Sequence, residues 1–286
     1  MKIVFFGTSA FAAPALKKLS EARYDIQGII TQPDQPAGRK KILTPPPVKE
    51  AALRAGFRIF QPATLKDDVF FEQFKSLEPE LAVVAAYGKI IPQRYLEVPV
   101  HGFLNIHPSL LPRYRGPSPI QTALLNGDTE TGITIMEVDA QMDHGPIIAQ
   151  ETVAIGSAET YPDLHDRLAD HGAELLGAVI PDYVTGAMTP VLQDDSQATF
   201  CRMLTREDGK IDWSTPTEKI YNQIRALNPE PGTWTTWNGQ VLNIKKASLQ
   251  NGQLHIEIVQ LAGKKETALK EFLQGRPDFK LSDLGR

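Results

Sequence analysis

The chain is nearly without cysteine: Cys201 stands alone in 286 residues. An intramolecular disulfide and a cysteine-rich zinc site are excluded, which fits a reducing cytoplasm, and Cys201 reads as a small packing residue. Long apolar runs are missing too. The longest clean stretch is about seven residues, Leu81 to Tyr87, whereas a membrane-spanning helix needs about 20. At the N-terminus, Gly7-Thr8-Ser9 cuts the run Ile3–Phe6 after four residues, short of the about 7–15 that a signal peptide's apolar region needs. A membrane partner is not expected, and the cytoplasm is the expected location. Excess charge of one sign is also absent. Lys and Arg number 30 against 34 Asp and Glu, a net charge of −4. Coating of nucleic acid through bulk charge is excluded, although a local basic patch is not. Finally, Gly7-Thr8-Ser9-Ala10-Phe11-Ala12 lacks the later glycines of Gly-x-Gly-x-x-Gly, which let backbone approach a pyrophosphate. A dinucleotide-dependent oxidoreductase is therefore disfavoured. No internal repeat or low-complexity segment is present.

What is present suffices for a sizeable core: 42% of residues are apolar and 22% charged. Ile3–Phe6 is continuous, apolar and partly β-branched, the pattern of a parallel strand buried on both faces. A turn at Gly7-Thr8-Ser9 feeds a helix over Ala10–Glu21, and Tyr24–Thr31 is the next strand. Gln32–Pro47 reads as a long loop rich in proline and basic residues. Further strands are expected at Arg58–Phe60, Leu81–Ala86, Gly102–His107, Thr131–Val138 and Ile147–Val153. Helices are expected at Val48–Ala55, Leu65–Ser76, Pro119–Leu125 and Tyr161–Val184. This β-α-β-α alternation predicts an α/β class with a doubly wound, mostly parallel, Rossmann-like sheet, its site at the carboxyl ends of the strands. The pattern changes after about residue 190. Residues 206–286 carry short strands, a helix near Thr217–Ala226 and a hairpin signal at Asn238-Gly239. The expected organisation is a catalytic domain over 1–190, a linker over 191–205 and a small β-rich domain over 206–286.

Asn105 and His107 lie two apart at the end of one strand, so their side chains point the same way. Asp143 follows the strand ending near Val138. A histidine beside a carboxylate can move a proton, and an amide NH₂ can donate to a developing oxyanion. That trio suits attack of an amine on an acyl carbon with no metal. On spacing alone, His107 before Pro108 could equally be a strand-end cap. Trp213, Trp234 and Trp237 could stack on bases, although tryptophans in a small β domain more often fill its core.

The flanking residues are more specific. The string Asn105-Ile106-His107-Pro108-Ser109-Leu110-Leu111-Pro112-Arg113-Tyr114-Arg115-Gly116, with the later Asp143-His144-Gly145-Pro146, resembles the formyltransferase family that uses 10-formyltetrahydrofolate. The resemblance implies that Asn105, His107 and Asp143 are the catalytic trio. It places Ser109, Leu110, Leu111 and Pro112 in a folate-contacting loop, and Tyr87, Lys89, Ile90 and Ile91 in a wall for the pterin ring. The segments Phe5–Ala12, Thr31–Arg39, Asp208–Trp213 and Arg225–Pro229 are similar to those members of the family whose acceptor is initiator methionyl-tRNA. By that resemblance the loop bearing Arg39, Lys40 and Lys41 meets the tRNA acceptor stem. The last domain would then be a small oligonucleotide-binding-type β-barrel, abbreviated here because Lys245–Ser248 leads through Asn251-Gly252 almost directly into Leu254–Gln260. The resemblance covers Met1 to about residue 275. The implied reaction is transfer of a formyl group from 10-formyltetrahydrofolate to the methionine α-amine of initiator tRNA by a monomer. A formyltransferase for a sugar-nucleotide amine would share the trio and is the alternative. A non-catalytic RNA- or folate-binding module is a rival from another class.

Overall fold

The computed structural model describes residues 1–38, 41–276, 279 and 284. The chain forms two compact units. One comprises Met1–Gly116, Gly132–Val153 and Asp166–Phe200, and the other Pro117–Thr131, Ala154–His165 and Cys201–Arg286.

The strands in chain order are β1 (Lys2–Gly7), β2 (Asp25–Ile30), β3 (Gln35–Ala37), β4 (Ile42–Thr44), β5 (Ile59–Phe60), β6 (Leu81–Ala85), β7 (Phe103–His107), β8 (Glu130–Glu137) and β9 (Ile147–Ala154). The helices interleaved with them are α1 (Ala13–Glu21), α2 (Pro47–Ala55), α3 (Asp68–Lys75), α4 (Gln93–Leu96), α5 (Pro119–Asn126) and α6 (Tyr161–Val184). Seven strands form one sheet in the order β5-β2-β1-β6-β7-β8-β9. The pairs β2–β5, β1–β2, β1–β6 and β6–β7 are parallel, and β7–β8 is antiparallel.

The inner strand β1 has Ile3, Val4, Phe5 and Phe6 all at 0% exposure, as a continuous apolar run between two parallel neighbours requires. On one face Phe6 meets Tyr87 edge-on at 5.3 Å and Phe74 at 5.8 Å, and Tyr95 lies 5.0 Å from Phe74. These rings, with Val4, Ile30 and Phe103, form one apolar cluster. The helix α3 starts where Asp67 accepts from Val69 N at 3.0 Å, and α2 ends at Gly56 with φ +74°.

Residues 32–47, read from sequence as a loop, contain the antiparallel pair β3–β4, with Gln35 opposite Thr44 and Ala37 opposite Ile42. Its base is pinned at Asp34, which accepts from Lys49 Nζ and Gln61 Nε2, each at 2.7 Å. Those bonds, Gln61's first, hold the Asp34 carboxyl below the usual range.

In the second unit, α7 (Thr217–Leu227) precedes β10 (Thr233–Trp237), β11 (Gln240–Gln250), β12 (Gln253–Leu261), β13 (Thr267–Ala268) and α8 (Leu269–Gln274). The sheet order is β10-β11-β12-β13, and among the described residues no pairing closes it into a ring. Asn238-Gly239 (φ +49° and +72°) and Asn251-Gly252 (φ +50° and +75°) make its two tight turns, the positive pairs that two-residue hairpins favour. Ile220, Ile224, Trp237, Leu242, Ile244, Val259 and Phe272 form its core.

Before α7, Asp208 closes a single turn over Arg206–Gly209. It accepts from Thr205 N at 2.7 Å and Oγ1 at 2.9 Å, and pairs with the Arg202 guanidinium. Arg202 first, then the Thr205 amide, hold its carboxyl far below the ordinary range. A depressed folded-state pKa stabilises above the unfolded value of about 3.9 and loses that stabilisation as pH falls through the folded value. Between about pH 5 and 2, denaturant melts of the wild type should therefore lose stability more steeply than those of Asp208→Asn. Parallel curves would remove Asp208 from the account of acid stability.

Candidate functional site

Strand β7 ends at His107 beside the carboxyl ends of β6 and, one strand further, β1; its other neighbour β8 runs antiparallel. Side chains of Asn105 and His107 leave the same face because they are two residues apart. His107 is 4% exposed. Its Nε2 lies 3.0 Å from the Tyr114 carbonyl, an oxygen that can only accept, so Nε2 carries a hydrogen. That bond fixes the ring and leaves Nδ1 as the position free to gain or lose a proton. Nδ1 faces Asp143 Oδ1 at 3.6 Å, longer than a hydrogen bond. Asp143 sits in the β8–β9 turn with φ +48°, and its other oxygen, Oδ2, accepts from Gly116 N at 2.8 Å. The half-buried Asn105 carboxamide hydrogen-bonds to no side chain or backbone group among the described residues. An unbonded amide donor and an oriented imidazole thus share one face of β7, and a carboxylate faces the imidazole. Such a group can polarise a carbonyl oxygen and move a proton from an attacking amine. Among the described residues no group of three His, Cys, Asp or Glu side chains could hold a metal ion.

A family described as "Formyl transferase" matches residues 1–180, and "Formyl transferase, C-terminal domain" matches residues 203–253. The chain belongs to the formyl transferase family. It is 49% identical over 249 residues to the methionyl-tRNA formyltransferase of Chloroflexus aurantiacus (87% of this chain, 80% of the relative). It is 42% identical over 300 residues to that of Halalkalibacterium halodurans (96% and 95%). Among solved structures, the methionyl-tRNA formyltransferase from Clostridium thermocellum matches with a TM-score of 0.63 and 23% identity (91% of this chain, 98% of the other). An N-formyltransferase from Helicobacter canadensis, in complex with folinic acid and dTDP-3-aminofucose, matches at 0.69 and 19% (94% and 98%). At such identities these two likenesses show the fold alone.

In this formyl transferase, the other residues singled out from sequence divide by what they touch. Ser109 is fully buried and donates its hydroxyl to Arg113 O at 2.6 Å. Leu111 is 3% exposed; its N–H donates to Thr134 Oγ1 at 3.2 Å, and its carbonyl accepts from Gln150 Nε2 at 2.8 Å. Leu110 packs on Gly132, where a Cβ would meet its Cδ2 at 2.4 Å. Ser109 and Leu111 thus shape the loop from within, and Leu110 and Pro112 are half-buried. The segment expected as a ring wall divides as well. Tyr87 is 2% exposed and Ile91 lies in the same aromatic cluster, so both are core residues. Burial raises the Tyr87 hydroxyl pKa. Lys89 Nζ donates to Ala63 O at 2.8 Å, which leaves Ile90, 85% exposed, as the apolar side chain free to meet a ligand. Lys41 is exposed at the end of the β3–β4 turn, whereas Arg39 and Lys40 lie outside the described residues.

Two polar groups near Asp143 were not identified from sequence. Arg115, 3% exposed, donates to Gln193 Oε1 and to Asp195 Oδ1, and Gln193 in turn donates to the backbone of the Asp143 turn. The sequence reads 191–205 as a linker. In the structure Val191 pairs with Ile147 and Thr199 O accepts from Arg115 N at 2.9 Å, so residues 191–200 are bound into the first unit. A run of Gln, Asp and Ser carries no apolar periodicity, which is why this attachment leaves little trace in the letters. His144 completes the turn, its Nδ1 2.6 Å from Asp139 Oδ2; that bond holds its pKa above the ordinary value.

Proposed function

We propose that the chain transfers the formyl group of 10-formyltetrahydrofolate to the α-amine of methionine on initiator methionyl-tRNA. The observation that carries the acceptor is identity of 42–49% to methionyl-tRNA formyltransferases across 80–95% of their length. What supports the chemistry is the unbonded Asn105 amide on the strand face that also carries His107, with Asp143 facing His107. The neutral amine attacks the formyl carbon, a C–N bond forms, and negative charge gathers on the formyl oxygen. Asn105 NH₂ and a protonated His107 Nδ1 stabilise that oxygen, and Asp143 orients the ring and takes up the amine's proton, directly or through water. As the intermediate collapses, the carbon–N10 bond breaks, the proton taken up by Asp143 passes to N10, and tetrahydrofolate leaves with N10 a neutral secondary amine. A donor aimed at a developing oxyanion supplies about 2.7–4 kcal/mol of barrier lowering.

The Ser109–Pro112 loop, through its backbone and Pro112, and Ile90 serve the folate. The β3–β4 hairpin, which exposes Lys41, Ile42 and Leu43, meets the acceptor stem of the tRNA; Arg39 and Lys40, outside the described residues, are assigned to the same contact from sequence alone. A functional division into a formyl-transfer part and a tRNA-binding part over 206–286 is proposed with it, residues 191–200 going with the first, as is action as a cytoplasmic monomer.

The test supplies purified protein with 10-formyltetrahydrofolate and charged initiator tRNA and follows formyl-methionine after hydrolysis. Formyl on methionine that depends on His107 is the expected result. Formylation of an amino-sugar nucleotide with none on the tRNA would move the assignment to the sugar class. Silence with both would overturn the assignment.

A further inference from the structure

We propose that Gln193 is a positioning residue: its amide holds the turn that presents Asp143 to His107, and the buried Arg115 sets the direction of that amide. The inference rests on the formyl-transfer reading for its rate measurements.

The argument starts at Arg115. Its Nε and Nη2 both donate to Gln193 Oε1, at 3.0 and 2.8 Å. Two cationic donors on one oxygen decide which end of the amide is which. The NH₂ end must then face the turn, where Nε2 donates to Asp143 O at 2.9 Å and Gly145 O at 2.8 Å. Reversing the amide would set oxygen against two carbonyls and N–H against a guanidinium. Those two carbonyls bracket the stretch in which Asp143 keeps φ +48°, a region that L-residues leave when nothing holds them. The far side of the turn is fixed by Glu137 N donating to Pro146 O at 2.9 Å. With both sides clamped, Asp143 Oδ2 reaches Gly116 N and Oδ1 faces His107 Nδ1. Gln193 lies in none of the motifs that carry the family resemblance. Its link to the reaction runs through backbone oxygens, which place no demand on neighbouring residue types.

The variant that isolates this role is Gln193→Glu. A carboxylate still accepts from Arg115, so residues 191–200 stay attached, but it has no hydrogen for the two carbonyls. Single-turnover transfer should fall about ten- to a hundredfold, with KM for tRNA and folate within about twofold, because a misplaced proton acceptor harms the chemical step and not binding. In an Asp143→Ala background the same substitution should change the rate less than about twofold, since a residue acting through Asp143 has nothing left to act on. Gln197→Ala, on the same segment with its amide on Asp194, should match the wild type. Hydrogen exchange gives a readout independent of turnover. The Gly116 amide, bonded to the Asp143 carboxylate, should exchange at least about tenfold faster in Gln193→Glu while β1 amides do not change. If Gln193→Glu does not fold, Gln193→Met removes the same donors with a neutral chain of similar length and replaces it throughout. Multiplicative losses with Asp143→Ala, a loss in KM alone, or unaltered Gly116 exchange would each overturn the proposal. Absence of wild-type transfer would count against the functional reading, and Gly116 exchange would still decide the role of Gln193.

Discussion

Replacing Asn105 or His107 with alanine is expected to slow formyl transfer at least about a hundredfold, without unfolding the protein. The two substitutions differ in what else they should do. Asn105 is half-buried and its amide is bonded to no described residue, so its removal should leave the thermal midpoint nearly unchanged. His107 is buried and donates to Tyr114 O, so alanine strands a carbonyl and should lose about 1–3 kcal/mol of stability. That is a fraction of the about 5–15 kcal/mol typical of folded domains, so the chain should still fold. His107→Gln separates the effects, because glutamine can restore a donor to Tyr114 O but cannot carry a proton at the Nδ1 position. It should recover stability and not activity. Thermal unfolding beside single-turnover rates checks the set. An alanine variant keeping more than about a tenth of the wild-type rate would remove that residue from the catalytic trio.

The same residues show what could be read from sequence. Strands β1, β6 and β7 and the helix α6 announce themselves because burial on both faces demands uninterrupted apolar runs, and a long amphipathic helix demands a 3.6-residue period. The Asn-Gly turns of the second unit are equally visible, since few other pairs accept two positive φ values. Asn105 and His107 share a strand face for a reason that alternation alone provides. The β3–β4 hairpin stayed hidden because the prolines around it read as loop punctuation, while two three-residue strands leave no alternation to detect. Tyr87 and Ile91 illustrate a different limit. Ala86 at φ +42° and Gly88 at φ +78° bend the chain after β6, and this bend turns Tyr87 into the aromatic cluster and leaves Ile90 outside. Without the backbone, an apolar side chain at a strand end reads the same whether it faces a ligand or the core. Gln193 is the extreme case, a contact between side chain and backbone across 50 residues, for which no local pattern exists.

Gly145→Ala should be the most damaging single-methyl change near the site. A Cβ built there would lie 2.0 Å from Glu137 O and 2.9 Å from Glu137 C, both backbone atoms of β8 that cannot swing aside. The turn must lift off the strand, which disturbs the Glu137 N–Pro146 O bond and moves Asp143 two residues away. Overpacking of this kind removes about 1–3 kcal/mol of stability. The loss of rate should be larger, about a hundredfold, because the methyl sits at the hinge of the residue that faces His107. Gly209→Ala gives the contrast: its Cβ would meet Gly232 O at 1.8 Å, a clash at least as severe, but within the second unit. Its stability loss should be similar or greater, and formyl transfer measured on a minimal aminoacyl acceptor should stay close to wild type. Rates and thermal midpoints for both variants decide the matter. Equal losses of rate would mean that stability alone governs the effect. A Gly145→Ala enzyme with full activity would mean that the turn has room to move while keeping Asp143 in place, and that the tight approach to β8 serves only packing.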